Sequence, residues 1–376
     1  PSACRLRLET DSLRAVLRPA AARPGRCLPV WLGPCLAMLV WPAVAPTEGS
    51  EAGWRHPISL TEATVYVQQS RISVAMEVFV EDLYLFHNLE PDEDNYLLPD
   101  DIRAGAQLHE QFLLDRFTLR DLRGELLEGI IYEVSDLDIP PEGISMGDLM
   151  PHSFTYKLEY ELIEPLEFLT IVQQFVDDTA GIPAEMQLRL KQEGSDSPSF
   201  AVLPPGEPFT ARFSWDHPPL SVDASEEEWE KWLEQQRDET LGITSYSSVY
   251  SFIYMEDREV RHEILVPLVT LESSVLIARD EDAFLSLQEQ DAAYDQITAY
   301  FKAGNPVEIN GKVVPAEVQR LDFFGLDFKD FAQQAERRKV STANARVGII
   351  PRYPAQQPPK TVKVTWDRFN RHVWSV

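Results

Sequence analysis

Phe154-Thr155-Tyr156-Lys157-Leu158-Glu159-Tyr160 alternates without a break between apolar and polar side chains. A period of two belongs to a β-strand with one face buried, because successive side chains point to opposite sides of a sheet. The same reading extends outward on both sides. Upstream, Thr64-Val65-Tyr66-Val67 and Ile72 to Val80 alternate with β-branched and aromatic residues. Downstream, Phe168 to Val176, Met186 to Leu190 and Phe209 to Trp215 read as further strands after the break at Pro165. Arg123-Gly124, between Phe117-Thr118-Leu119 and Leu126 to Val134, predicts a hairpin turn. One helix interrupts the series at Asp101 to Leu114, with Ile102, Ala106, Leu108 and Phe112 roughly on its apolar face.

A shift of about 188 residues brings the plan round again. Asp92-Glu93-Asp94-Asn95-Tyr96-Leu97 aligns with Asp280-Glu281-Asp282-Ala283-Phe284-Leu285, and the helix aligns with Gln288 to Phe301. The Gly124 turn meets Asn310-Gly311, both of whose residues tolerate positive φ. The strand at 72–80 meets Val260 to Val269, and Phe209 to Asp216 shares a cadence with Thr361 to Asp367. Between the halves, Ser225 to Arg237 predicts a helix. Its early glutamates suit the positive end of the helix dipole, and Trp229, Trp232 and Leu233 form an i, i+3, i+4 stripe.

Strands without regular βα alternation, separated by loops such as Pro140-Pro141 and Pro204-Pro205, point to antiparallel sheets. The expected fold is mainly β: two tandem Ig-like sandwich domains, each with one inserted helix. The expected boundaries are a leader at 1–52, a first domain at 53–218, a helical linker at 219–245 and a second domain at 246–376.

The leader stands apart in composition. Residues 1–47 carry six arginines against Glu9 and Asp11, in a chain whose net charge is −27. An apolar stretch from Leu28 to Trp41 follows, and then Ala43-Val44-Ala45. A basic head, a short apolar centre and a small-x-small tail are the layout of a secretory signal peptide. The three cysteines, Cys4, Cys27 and Cys35, all lie there, so the exported part would hold no disulfide. Cys35 is a poor lipid-attachment site, since Pro34 precedes it. The expected location is therefore periplasmic or extracellular. The acidic balance disfavours nucleic acid and anionic membrane surfaces as partners.

Local signatures of catalysis are missing. His109-Glu110 and His262-Glu263 begin an H-E-x-x-H pattern, but Leu113 and Val266 stand in place of the second histidine. No G-x-S-x-G elbow occurs, and a nucleophile assembled only in space is not visible at this level. The best candidate ligands are oxygen donors for Ca²⁺: Asp92 and Asp94 in one half, Asp280 and Asp282 in the other. The same acids also suit the N-termini of the helices that follow them. Trp54, Trp215 and Trp366 are candidate stacking platforms for carbohydrate, although a tryptophan closing a strand more often packs in a core. His56 lies near the expected mature N-terminus, where a histidine can help hold Cu²⁺ or Ni²⁺.

Three stretches carry a family resemblance: HPISLTEATVYVQQSRISVAMEVFVEDLYLF (56–86), FTLRDLRGELLEG (117–129) and SFTYKLEYELIEPLEFLTI (153–171). Together they resemble the extracytoplasmic sandwich region that precedes the membrane helices of HupE/UreJ-like proteins, over residues 56–175. The chain differs in carrying the unit twice and in having no membrane helices within its 376 residues. The resemblance implies an exported sandwich, while metal permeation would belong to the helices. The expected function is non-enzymatic binding or scaffolding of a protein partner. The alternatives are a sensory or gating module of a transporter whose helices follow residue 376, and a calcium-stabilised adhesion module.

Overall fold

A computed structural model describes residues 4–9, 59–135, 137–176, 184–239, 246, 248–280, 283–326 and 336–368. It is mainly β, as the alternation predicts. After β1 (Cys4–Glu9), the first half runs β2 (Ser59–Val67), β3 (Arg71–Phe79), α1 (Val80–His87), β4 (Tyr96–Leu97), α2 (Pro99–Arg116), β5 (Phe117–Arg120) and β6 (Gly129–Val134). It continues with β7 (Ile144–Ser145), β8 (Ser153–Glu161), β9 (Phe168–Gln173), β10 (Ala184–Gln192), β11 (Ser199–Leu203) and β12 (Phe209–Arg212). Six strands form one sheet in the order β11-β10-β2-β3-β8-β6, three form β12-β9-β5, and β4 pairs with β7. Strand β10 runs parallel to β2, a departure from the all-antiparallel expectation. The core is built as the alternation dictates: Phe154, Tyr156, Leu158 and Tyr160 on β8 are buried together with Ile72, Val74, Met76 and Val78 on β3.

Local chemistry corrects three expectations. The strand predicted over 72–80 ends at Phe79, and Val80 opens a second helix in the first half. Asp82 accepts a hydrogen bond from the Phe79 N–H at 3.2 Å, and Asn88 closes the helix in the left-handed region at φ 52°. On α2 the buried stripe is Ile102, Gly105, Ala106, His109 and Leu113, while Leu108 is 60% exposed. Strand β6 pairs with β8 rather than β5, so the turn at Gly124 is flanked by an isolated Arg120–Leu126 bridge and not by a β5–β6 ladder.

The linker helix α3 (Glu226–Glu239) appears where the sequence predicts it. The second half follows with β13 (Tyr250–Met255), β14 (Glu259–Pro267), α4 (Leu268–Glu272), β15 (Phe284–Leu285), α5 (Leu287–Gly304), β16 (Val307–Ile309) and β17 (Lys312–Val314). It ends with β18 (Glu317–Phe324), β19 (Val340–Ser341), β20 (Arg346–Pro354) and β21 (Thr361–Trp366). An offset of 188 residues carries Arg71 of β3 onto Glu259 of β14, Val80 of α1 onto Leu268 of α4, and Pro99 of α2 onto Leu287 of α5. The sheet partners correspond as well. β2-β3-β8-β6 matches β13-β14-β20-β18, β4-β7 matches β15-β19, and β5-β9 matches β16-β21. Strand β21 thus stands where β9 does, so the likeness of Phe209–Asp216 to Thr361–Asp367 is one of local sequence only. Among the described residues each half holds two helices rather than one, because α4 mirrors α1.

The halves touch at defined points. Asn344 Nδ2 donates to the Asp121 carbonyl at 3.2 Å, and Phe168 meets Tyr246 edge-on at 5.2 Å between ring centroids. Arg346 is buried on β20 beside Tyr246 and Tyr250, with its guanidinium 5.9 Å from each ring. It donates to the Ser248 carbonyl at 2.8 Å, and burial pulls its pKa down to about 10. No helix among the described residues is long and apolar enough to cross a membrane.

Candidate functional site

Polar groups inside an apolar core are the first place to look for chemistry, because burying them costs stability unless they are paired. Each half carries a buried histidine in hydrogen-bond reach of a second polar side chain.

In the first half, His87 at the end of α1 meets His109 on the buried face of α2, with Nε2 of His87 2.8 Å from Nδ1 of His109. The rings cross at 88°, and His109 stacks on Phe112 at 4.8 Å. Phe86 and Tyr156 complete an aromatic wall. His109 Nε2 is buried with no hydrogen-bond partner among the described residues. An orphaned lone pair is cheaper than an orphaned N–H, so the arrangement favours His109 donating from Nδ1 to His87 Nε2. Burial, reinforced by the neighbouring His87, pushes the His109 pKa down to about 3, and burial lowers that of His87 as well. Both rings are neutral at pH 7.

In the second half, Ser251 on β13 lies with Oγ 2.6 Å from Nε2 of His262 on β14. This is nucleophile-to-base distance. His262 is buried, its pKa is pushed down to about 4 by burial, and its Nδ1 has no partner among the described residues. A catalytic histidine needs an acceptor at that nitrogen to hold the tautomer that takes the serine proton. Without one, the favoured tautomer donates from Nε2 to Ser251 Oγ, and the serine is not activated. Ser251 is therefore expected to stay unlabelled by a fluorophosphonate probe; intact-mass analysis showing a stoichiometric adduct lost in Ser251→Ala would reverse this assignment.

The 188-residue correspondence supplies an internal control. His87 and His109 fall at Val275 and Ile297, both buried, and Ser251 and His262 fall at Ala63 and Val74, also buried. The architecture accepts apolar residues at all four places, so neither pair is required by the fold.

Three of the four acidic calcium candidates, Asp92, Asp94 and Asp280, are among the described residues. Asp92 Oδ1 accepts from the Asp94 and Tyr96 N–H groups at 3.0 and 2.8 Å, which uses that carboxylate to hold its own turn. Asp94 is exposed, Asp280 donates its N–H to Glu289 Oε1, and Asp282 lies outside the described residues. Among the described residues, no group of three His, Cys, Asp or Glu side chains is placed to hold a metal ion. Trp215 donates to the Leu166 carbonyl at 2.8 Å and packs on the first core, and Trp366 is buried in the second, so neither presents an open face for a sugar. Trp54 and His56 lie outside the described residues.

The histidine pair was missed because its members are 22 residues apart. One signal was present: His109 occupies the i+3 place of the apolar stripe on α2, between Ala106 and Leu113. A scan against protein-family models and a search of curated proteins find no match for this chain.

Proposed function

We propose that the chain is an exported, non-enzymatic binding or scaffold protein made of two related sandwich-type units, 53–218 and 246–376, joined through 219–245. The matching order of elements and sheet partners supports descent of the two units from one. The export part of the reading rests on the leader sequence.

The observation that carries the binding role is the outer edge of the six-stranded sheet. Edge strands usually defend themselves with charge, proline or a bulge against pairing with other chains. Strand β6 carries Glu133 and a bulge between Ile131 and Glu133. Strand β11 has neither: it reads Ser-Phe-Ala-Val-Leu, and Phe200 and Val202 are 72% and 58% exposed. Arg189 on β10 lies over Phe200 at 5.7 Å, so the strand is held in place while its apolar face stays open. An extended segment of a partner protein would pair with β11 through the backbone and cover these two side chains.

The test is site-specific photocrosslinking in cells that make the full chain. A photoreactive residue at Phe200 should capture one discrete protein, and mass spectrometry should place the adduct on an extended segment of that protein. Val202→Lys should abolish the adduct, and the probe at exposed Leu108 should give none. Adducts of equal yield at both positions, or no adduct at Phe200, would end the proposal.

A further inference from the structure

Trp366 and Arg368, at the end of β21, border a cleft in the second half whose other walls are Val249, Val266, Leu271 and Phe301 together with Thr270 and Tyr300. The cleft is partly open and its volume is about 20 Å³, enough for one oxygen-sized group. The matching corner of the first half is shut. There Gln173 occupies the register place of Trp366, with its amide fully bonded: Nε2 donates to the Ala184 and Leu203 carbonyls, and Oε1 accepts from the Phe175 N–H. Phe175, two residues on, takes the place of Arg368 and packs on Phe112 at 5.4 Å. In the second half the phenyl plug is replaced by a guanidinium over Tyr300, the residue matching Phe112, at 4.7 Å.

The exchange leaves donors without good acceptors. Trp366 is 7% exposed, and its Nε1–H has no hydrogen-bond partner among the described residues. Buried N–H groups are rarely left unpaired. Arg368 donates from a terminal nitrogen to the Tyr300 carbonyl at 3.3 Å. Its Nε lies 3.5 Å from the Asp367 carboxylate without making a hydrogen bond, so its charge is only loosely compensated. An indole donor and a guanidinium beside mostly apolar walls suit an anionic oxygen group on a short aliphatic chain, of which a carboxylate is the smallest planar form.

We propose that this cleft binds a small aliphatic carboxylate. One oxygen enters to accept from Trp366 Nε1–H, and the other faces the Arg368 guanidinium. The proposal does not depend on the role of β11, which lies in the other half.

The probe is butyrate, read by the indole N–H resonance of Trp366 in the full chain, assigned by Trp366→Phe. Butyrate should shift that resonance saturably, while butanol and chloride at matched ionic strength should not. Arg368→Gln should weaken binding by about tenfold or more, the usual scale for one charged hydrogen bond. Arg368→Phe, which installs the first half's residue, should abolish it with the fold retained. A resonance that does not respond to butyrate, or one that responds equally in Arg368→Gln, would mean that the cleft holds a single bound water only.

Discussion

Acidification from pH 6.5 to 4.5 is expected to remove roughly 5 kcal/mol of folding stability through two buried histidines alone. The sign follows from linkage. Burial holds His109 near pKa 3 and His262 near 4 in the folded chain, against an unfolded value of 6.5. Between those limits the unfolded chain binds protons that the folded chain refuses, so stability is complete above pH 6.5 and drains away as pH falls. Each group contributes about 1.4 kcal/mol per pH unit within its window. His87 is shifted the same way and adds to the effect. The sum is large against the 5–15 kcal/mol typical of a folded domain. Urea melts across this range measure it, and the corresponding-residue variant His87→Val, His109→Ile, Ser251→Ala, His262→Val isolates it from the titration of carboxylates. That variant should be at least as stable as the parent at pH 7.5 and should lose the steep dependence between 6.5 and 4.5. An unchanged slope would mean that the rings are hydrated and charged in solution.

The same four residues show what the sequence could and could not reveal. Alternation made β3 and β8 legible because one face of each is buried and the other is wet. The 18-residue helices were legible from acids in the first turn and a periodic stripe. Helix α1 was not, because Val78-Phe79-Val80 reads as strand to the end. Only Asp82 at the third helical position and Asn88 after the last turn mark the change. Leu108 is apolar and reads as a core residue, yet its position on α2 faces solvent and His109 faces inward. Hydrophobicity and periodicity disagreed there, and periodicity decided the packing. The partners of His109 and His262 were beyond reach for a different reason. A contact between residues 22 or 11 apart depends on how a helix pair or a hairpin closes, which local pattern does not encode. Trp366 was similarly ambiguous: a tryptophan closing a strand packs in a core more often than it forms a surface platform, and its own burial in the second core resolves the choice.

Substitution of Gly124 by alanine is expected to be the most disruptive single methyl addition at the contact between the halves. Gly124 sits in the turn built on Asp121, whose Oδ1 accepts from the Arg123 and Glu125 N–H groups at 2.8 and 2.9 Å. The Asp121 carbonyl accepts from the Gly124 N–H and from Asn344 of the second half. Gly124 has φ +83°, and a Cβ there would lie 2.0 Å from Ser341 Cβ and 2.4 Å from its Oγ. Two costs therefore add: about 1–2 kcal/mol for left-handed backbone in a residue with a side chain, and about 1–3 kcal/mol for overpacking. Gly311, in the matching turn of the second half, separates them, because it has φ +80° and nothing within 4 Å of a new Cβ. Gly311→Ala should carry only the backbone cost. Ser341→Gly removes the colliding atoms, and since Ser341 Oγ has no hydrogen-bond partner among the described residues, none of their hydrogen bonds is lost with it. The double variant Gly124→Ala/Ser341→Gly should recover the overpacking part, a favourable coupling of about 1–3 kcal/mol in a double-mutant cycle. Thermal or urea melts of the four chains complete the cycle. Equal losses in Gly124→Ala and Gly311→Ala, with no coupling to Ser341, would mean that the two halves do not meet through this turn in solution. A strong coupling would instead make the Asp121 turn the key that fixes one half on the other, and β11 would then present its open edge from a rigid two-unit body.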